Sequence, residues 1–192
     1  MRKKRKETIF AAAQTVFAAQ GYHQATMEEI AQEAGLAKGT LYLYFKSKQE
    51  LCISLMVNKL EELRELCRVE AARGGHGLEK IQFIVRAMKE FSESNRDFLR
   101  MLFAGGEEFR QEMHRRTSVI GDEIIRLITG ILEKGIEAGE LRDVNPRQGA
   151  LALAGMVSII IFNWIQSEDA AIPDDELVDL FAYGVMKVSC CK

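Results

Sequence analysis

Proline and strand-type alternation are almost missing from this chain. Its 192 residues include two prolines, and apolar and polar residues hardly ever alternate as they do in a half-buried strand. Ala, Leu, Ile, Glu, Lys and Arg dominate instead, and most of these favour helices. Hydrophobic residues make up 47% of the chain and charged residues 28%, which is ordinary for a soluble globular protein. The sequence therefore predicts an all-α protein that is long enough to bury a real core.

Cysteine and histidine are few, and no constellation of catalytic residues is visible. No two cysteines have metal-ligand spacing, and no Ser, His and acidic residues have the spacing of a triad. We therefore expect no metal, no cofactor and no enzymatic activity. Free thiols in a reducing cytoplasm fit the cysteines best, although a redox role for the last two stays open. The residues concerned are Cys52, Cys67, Cys190, Cys191, His23, His76 and His114.

Two apolar stretches imitate targeting or membrane segments. Residues 1–21 place basic residues before an apolar run, as a signal peptide does, but Gln14 and Thr15 interrupt that run and its apolar residues follow a helical period. Residues 149–165 carry no charge, which approaches the lower length limit of a membrane span. Ser158 and Asn163 lie within that stretch, and a helix buried on most sides explains it better. The sequence predicts a cytoplasmic protein without a membrane segment.

The net charge of −2 hides an asymmetry between the start of the chain and the rest. Residues 1–48 carry eight Lys or Arg and four Asp or Glu, which leaves 18 of the 26 basic and 24 of the 28 acidic residues for the remainder. A basic N-terminal segment on an otherwise acidic chain indicates that only this segment contacts a polyanion. Small imbalances are common, so the charge alone does not decide for nucleic acid.

Helix signals divide the first 50 residues into three short helices. The first has one apolar face and ends near Gly21. Thr26 to Glu29 form a capping box that opens the second helix, which stops at Gly35. A tight turn leads to the third helix, residues 38–45, which Leu41 and Phe45 anchor inward. The apolar face of the first helix consists of Ile9, Ala12, Ala13, Val16 and Phe17.

A helix, a glycine turn and a second helix form the pattern of a helix-turn-helix. The outward face of the second of these helices suits a DNA groove, because Lys38 can meet a phosphate or a guanine edge and Gly39 permits close backbone approach. Thr26 and Lys48 lie at helix N-termini, which favour phosphate. A plain helical hairpin with a polar surface is the alternative. The predicted DNA-binding residues are Thr26, Lys38, Gly39, Thr40, Tyr42, Leu43, Tyr44 and Lys48.

These residues resemble a known family over roughly residues 7–55. Residues 26–31 and 35–51, with Phe17 and Gly21-Tyr22 upstream, resemble the DNA-binding domain of TetR-family repressors, and the run from Tyr42 to Lys48 is close to a signature. Gln49 departs from the family, in which an acidic residue is commoner. The resemblance implies a homodimer, a palindromic operator in double-stranded DNA, and release of the DNA when a small-molecule effector binds.

The rest of the chain predicts a larger helical domain. The first predicted domain is residues 1–50, a helix-turn-helix with a mobile basic arm at residues 2–6. The second is residues 51–192, which we expect to bind the effector and to form the dimer. Ser47 to Glu50 form a second capping box that opens a helix to about Ala72. Further helices are predicted at about 78–94, 96–104, 107–138, 146–167 and 173–189. The last two of these helices are the predicted dimer surface, because two helices from each subunit form a four-helix bundle.

Aromatic and methionine side chains of the larger domain predict a pocket for an apolar ligand. Ordinary helical core is the alternative for each of them. We expect the effector to wedge between the helix that begins after Ser47 and residues 98–113, with Gly105-Gly106 allowing movement. Two other functions stay open, namely a DNA-binding regulator controlled by a protein partner and a small-molecule binder without operator binding. The predicted pocket residues are Phe83, Met88, Phe98, Met101, Phe103, Met113, Phe162 and Trp164.

Overall fold

The computed structural model describes residues 2–104, 106–167, 181 and 184, with backbone alone at 101–104. These residues form eight α-helices, and no β-strand occurs among them. The all-α prediction is confirmed, whereas the helix predicted at 173–189 lies outside the described residues except at 181 and 184, which are helical. The helices are α1 Arg2–Gln24, α2 Met27–Glu33, α3 Lys38–Tyr44, α4 Lys48–Ala72, α5 Gly77–Ser94, α6 Arg96–Ala104, α7 Glu107–Glu137 and α8 Pro146–Gln166.

The described residues divide into two compact units, and the division does not follow the chain in one cut. The first unit, called the head, takes its residues from 1–59 and 97–116. The second unit, called the body, takes its residues from 60–96 and 117–192. The head therefore contains α1 to α3 and the first part of α4, and also α6 and the start of α7.

The head is built on one apolar cluster to which all of its first four helices contribute. Leu41, Ile9 and Ile30 are fully buried, and Phe45 is nearly so. The rings of Phe10 and Phe45 lie 5.6 Å apart between centroids. Replacing such a core leucine by alanine costs about 2–5 kcal/mol. The remaining members of the cluster are Ala12, Ala13, Val16, Phe17, Ala25, Met27, Ala31, Leu51 and Leu55.

The turn between α2 and α3 ends the first of these helices with a complete Schellman motif. Leu36 N–H donates to the Ala31 carbonyl at 2.8 Å, and Gly35 N–H donates to the Gln32 carbonyl at 3.0 Å. Gly35 has φ +64°, a left-handed conformation that costs glycine little and other residues more. The turn thus fixes the path from α2 into α3.

The basic segment predicted as a mobile arm is helical in the structure, which corrects that prediction. Arg2–Lys6 lie in α1, which begins at Arg2 and runs past a kink at Gly21 to Gln24. Lys and Arg are good helix formers, and extending an existing helix costs far less than starting one. No glycine or proline separates these residues from Ile9, and Thr8 does not cap a helix start, because its hydroxyl donates to the Lys4 carbonyl at 3.1 Å.

The body takes its core from the middle of α7 and the apolar sides of α5 and α8. Along α7, Ile124, Ile128 and Leu132 recur four residues apart and are buried, as an amphipathic helix requires. Ile81 and Ile84 on α5 are fully buried as well. Where α5 begins, Gly77 N–H donates to the Glu140 carboxylate at 3.1 Å. This bond satisfies one of the free amide groups of a helix N-terminus.

Candidate nucleic-acid interface

The outward face of α3 is exposed and partly apolar. Lys38 and Gly39 are exposed at its start, while Thr40 and Tyr44 are half-buried. Tyr42 is 40% exposed and Leu43 80%. A leucine that exposed contributes nothing to the core, but it can contact a thymine methyl group in a major groove. The four exposed residues of the predicted set therefore share one surface, and Leu41 on the opposite side of the helix holds that surface in place.

Lys38 is paired within the head. Its ammonium forms an ion pair with Glu28 of α2 and lies 6.0 Å from the centroid of the Tyr42 ring. The same ammonium holds the pKa of Glu28 below its usual value, chiefly through the hydrogen bond between them. Both side chains are more than half exposed, so the pair can open at little cost. The pair places the ammonium beside the exposed face of α3, although no sequence pattern marked Glu28 as a partner.

Thr26 caps α2 as its sequence predicts. Its hydroxyl accepts from Glu29 N–H at 3.2 Å, and its own N–H donates to the Glu29 carboxylate at 2.8 Å. Gln20 of α1 donates to the same carboxylate at 3.0 Å. The Thr26 hydroxyl itself donates to that carboxylate at 2.8 Å, and this bond, followed by the bond from Thr26 N–H, lowers the pKa of Glu29. Contact between Thr26 and a phosphate stays a prediction, because the hydroxyl already serves the cap.

Lys48 begins α4, and its ammonium points to the end of α1. It donates to the carbonyl oxygens of Tyr22 at 2.5 Å, His23 at 3.1 Å and Ala25 at 2.7 Å. It also lies 4.4 Å from the centroid of the Tyr22 ring. An ammonium has three N–H donors, so these three carbonyls use all of them. The predicted phosphate contact of Lys48 would require one of these bonds to open.

The second predicted capping box, at the start of α4, differs in one bond. Glu50 N–H donates to the Ser47 hydroxyl at 3.0 Å, as predicted. The Glu50 carboxylate, however, accepts from Lys46 N–H at 2.7 Å instead of the N–H of the cap residue itself. The Glu50 side chain is long enough to reach the N–H of either Lys46 or Ser47, and in the bend before α4 it accepts from Lys46.

Two predicted pocket residues belong to the head. Phe98 of α6 packs on the head cluster and lies 6.4 Å from Phe17 between ring centroids, and Met113 of α7 is buried. At the end of α1, the Tyr22 ring lies 6.5 Å from that of Phe109. The side chains of Met101 and Phe103, and Gly105 of the predicted turn, lie outside the described residues. Sequence reasoning missed these contacts of α6 and α7 with α1, because residues far apart in the chain make them.

The other four predicted pocket residues belong to the body. Phe83 and Met88 on α5 are half-buried, Phe162 on α8 is exposed and Trp164 is buried. The indole N–H of Trp164 is buried and has no hydrogen-bond partner. The Arg96 guanidinium lies 4.2 Å from the centroid of the Trp164 ring. A buried donor without an acceptor costs about 1–3 kcal/mol.

One face of α8 is apolar and partly exposed. Leu151, Ile159 and Phe162 are large hydrophobic residues that are 46%, 55% and 39% exposed, and Gly155 lies between them at helical spacing. Among the described helices, α8 alone is long and apolar enough to cross a membrane, judged by length and composition. That finding is weak evidence for a membrane, since a core or interface helix passes the same test.

The described cysteines are buried in α4. Burial raises the pKa of the Cys67 thiol to about 11 and raises that of Cys52 further. Both thiols therefore stay protonated and unreactive at neutral pH. Cys190 and Cys191 lie outside the described residues. In the part of the chain that the structure describes, no three His, Cys, Asp or Glu side chains gather as a metal site would require.

Comparison with known proteins places both parts of the chain in one family. The family model for bacterial regulatory proteins of the tetR family matches residues 9–55. The model for Tetracyclin repressor-like C-terminal domains matches residues 74–181, more than half of the chain. The first match contains α2, α3 and the start of α4, and the second contains α5 to α8.

Individual relatives agree with the family models along the whole chain. The fatty acid metabolism regulator protein of Bacillus subtilis is 28% identical over 194 residues, which cover 96% of this chain and 98% of that protein. The crystal structure of the transcriptional regulator FadR from Bacillus subtilis in complex with stearoyl-CoA has a TM-score of 0.66 at 26% identity, covering 92% and 94% of the two chains.

A more distant structure shows how far the fold extends beyond sequence similarity. The TetR transcription regulator from Haloarcula marismortui has a TM-score of 0.79 at 14% identity and covers 96% of this chain and all of its own. With the two family models and the helix-turn-helix geometry, these similarities lead to one conclusion. The chain belongs to the TetR family of transcriptional regulators.

Proposed function

We propose that this regulator is a repressor that binds a palindromic operator as a homodimer and leaves it when a fatty acyl-CoA binds. The observation that carries the DNA-binding part is the exposed face of α3. Leu43 at 80% exposure, next to Lys38, Gly39 and Tyr42, has no role in the core of the head. Such a mixed basic and apolar face on the second helix of a helix-turn-helix suits the major groove.

The apolar face of α8 supports the homodimer. A face that exposes Leu151, Ile159 and Phe162 is unfavourable in water, and pairing with the same face of a second copy would cover it. Such pairing explains the uncharged run in α8 without a membrane and fits a cytoplasmic protein. Two heads related by a twofold axis enter successive major grooves when their recognition helices lie about 34–36 Å apart, which makes the operator palindromic.

The relatives and Trp164 support a fatty acyl-CoA as the effector. A FadR of 26% identity was crystallised with stearoyl-CoA, and the relative of 28% identity is a fatty acid metabolism regulator. In this chain the buried indole N–H of Trp164 has no acceptor. A ligand that combines a long apolar chain with a carbonyl group would supply apolar contacts and that acceptor together.

The set of helices that make up the head supports a way in which effector binding could change DNA binding. Residues from 97–116 belong to the same compact unit as α1 to α3, and Arg116 of α7 donates to the Ser54 hydroxyl of α4 at 3.2 Å. A ligand that displaces α6 or the start of α7 would therefore disturb the packing of α1 to α4 within the head. Release requires that the effector bind the DNA-incompetent state more tightly. By linkage, operator DNA must weaken effector binding by the same factor.

Fluorescence anisotropy with DNA from the promoter of the regulator's own gene tests the proposal. The protein should bind a palindromic fragment as a dimer, and stearoyl-CoA should release it, whereas stearate and CoA added separately should not. Trp164 is the single tryptophan, so its emission reports stearoyl-CoA binding directly. Binding of DNA that no acyl-CoA affects would favour control by a protein partner. Binding of stearoyl-CoA without any DNA binding would favour a small-molecule binder.

A further inference from the structure

A groove lined mainly by charged residues lies between α4 and α7 within the body, and none of the apolar pocket residues predicted from the sequence lines it. The groove is open to solvent and has a volume of about 550 Å³, which is within the range of small-molecule sites. Three of its six lining residues are arginines, two are glutamates and one is a leucine. The lining residues are Arg64, Glu65, Arg68, Glu123, Arg126 and Leu127.

The two carboxylates hold the three guanidinium groups along the groove. Arg64 Nη1 lies 2.8 Å from Glu123 Oε2, and Arg126 Nη2 lies 3.8 Å from the other oxygen of the same carboxylate. Arg68 makes a two-pronged contact with Glu65, at 2.8 Å through Nε and 2.6 Å through Nη2. Glu123 is thus shared between an arginine of α4 and an arginine of α7.

The arrangement leaves both a charge and a donor uncompensated. Three guanidinium groups face two carboxylates, so the groove has a net charge of +1 from its lining residues. The Nε–H of Arg64 is buried and has no hydrogen-bond partner. A network made only for stability would satisfy that donor, since a buried unsatisfied N–H destabilises the fold. An anion in the groove would supply the missing charge, and it would supply the missing acceptor once Arg64 leaves Glu123 and turns its Nε–H into the groove.

We propose that this groove binds the phosphate groups of a phosphorylated ligand, and that in the effector proposed above these are the phosphates of CoA. The inference deepens the proposed function and rests on it for the identity of the ligand. Arginine suits the task because its planar fork presents paired N–H donors to phosphate oxygens. The ligand competes with the Glu123 carboxylate for Arg64 and Arg126, and it then links α4 to α7 through these arginines.

Substitutions at the groove separate a ligand site from a structural salt-bridge network. Arg126→Gln removes a guanidinium that is 62% exposed, so the fold should tolerate it. We expect it to weaken the affinity for CoA, and for stearoyl-CoA by the same factor, about tenfold, with the affinity for stearate unchanged. Arg73→Gln is the matched control, because Arg73 is an exposed arginine directly after the end of α4, is paired with Glu70 and lies outside the groove.

Glu123→Gln gives the sharpest result, because the two interpretations predict opposite signs. Removing this carboxylate raises the net charge of the groove and frees Arg64 and Arg126 for phosphate. We expect CoA to bind at least threefold more tightly, whereas a purely structural Glu123 predicts a lower melting temperature with no gain in CoA affinity. Melting curves of each variant establish that the protein is folded. The groove proposal is wrong if Glu123→Gln fails to tighten CoA binding or if Arg126→Gln behaves as Arg73→Gln does.

Other phosphates identify the source of the recognised group. Titrations with pyrophosphate, ATP and dephospho-CoA beside CoA show whether the groove selects the CoA headgroup or accepts any phosphate. If CoA or pyrophosphate binds with an affinity that depends on Arg126, while stearoyl-CoA leaves the DNA complex intact, the groove proposal is supported and the proposed effector is wrong. If stearoyl-CoA releases the DNA, and Arg126→Gln leaves the affinity of the protein for stearoyl-CoA unchanged, the proposed effector is supported and the groove proposal is wrong.

Discussion

Gly39 offers a test in which stability and DNA binding should change in opposite directions. It is the second residue of α3, and a Cβ added to it would meet no atom within 4 Å. Gly39→Ala therefore fits the free protein without strain. Alanine is favoured over glycine in a helix by about 0.5–1 kcal/mol, so the variant should be more stable. For a chain of this size, that gain raises the melting temperature by about 1–4 °C.

The same methyl group should weaken operator binding if the backbone of Gly39 approaches the DNA. Crowding a close-packed contact by one methyl group costs about 1–3 kcal/mol, which corresponds to a rise in Kd of about five- to 150-fold. Thermal melting and anisotropy titration on an operator fragment measure the two effects separately. A variant that melts at a higher temperature and binds the operator more weakly would show that glycine at position 39 serves DNA binding and not stability.

Gly121 provides the matched control for this experiment. It is an exposed glycine inside α7, and a Cβ added there also meets nothing within 4 Å. Gly121→Ala should raise the melting temperature similarly and leave the Kd for DNA unchanged. If Gly39→Ala binds the operator within twofold of the parent protein, the assignment of the start of α3 to the groove is refuted.

The remaining predictions concern the DNA contacts and the dimer. Deleting residues 2–6 should weaken binding to operator and random DNA alike and flatten the salt dependence, through fewer released counterions; an unchanged slope would exclude a phosphate contact there. Lys38→Ala should change the preferred operator in a binding-site selection, and an unchanged preference would show that Lys38 reads no base. Lys48→Met should lower the melting temperature and weaken DNA binding without changing the salt slope, whereas a direct phosphate contact would reduce the slope by about one. Ile159→Glu should turn the dimer into monomers in analytical ultracentrifugation, because it buries a charge in the apolar face of α8; a dimer of unchanged stability would place the interface elsewhere.

Local signals explain why most of the helix bounds could be predicted from the sequence. Thr26 and Pro146 mark helix starts, and Gly35 marks a helix end, through bonds that reach only a few residues along the chain. Such bonds depend on neighbouring residue types, which a single sequence displays. The basic segment before Ile9 is the exception, because its charged residues fit a disordered arm and the first turns of a helix equally well.

Contacts between distant parts of the chain explain what could not be predicted. Phe98 is an aromatic residue in an amphipathic helix, a pattern that fits a ligand pocket and a packed core equally well. Only the fold decides, and it packs Phe98 against Phe17 in the head. The two apolar pocket candidates Phe83 and Met88 on α5 stay in the body, where the pocket assignment is still a prediction.

Lys48 shows most clearly where sequence reasoning ends. A lysine at a helix start, in a DNA-binding family, next to a capping serine, is the residue type and position expected to contact a phosphate. In the structure its three donors go instead to main-chain carbonyls of residues 22, 23 and 25. Every residue has a carbonyl group, so these acceptors leave no mark in the sequence. The three bonds join the end of α1 to the start of α4, and they make Lys48 a residue that holds two helices of the head together.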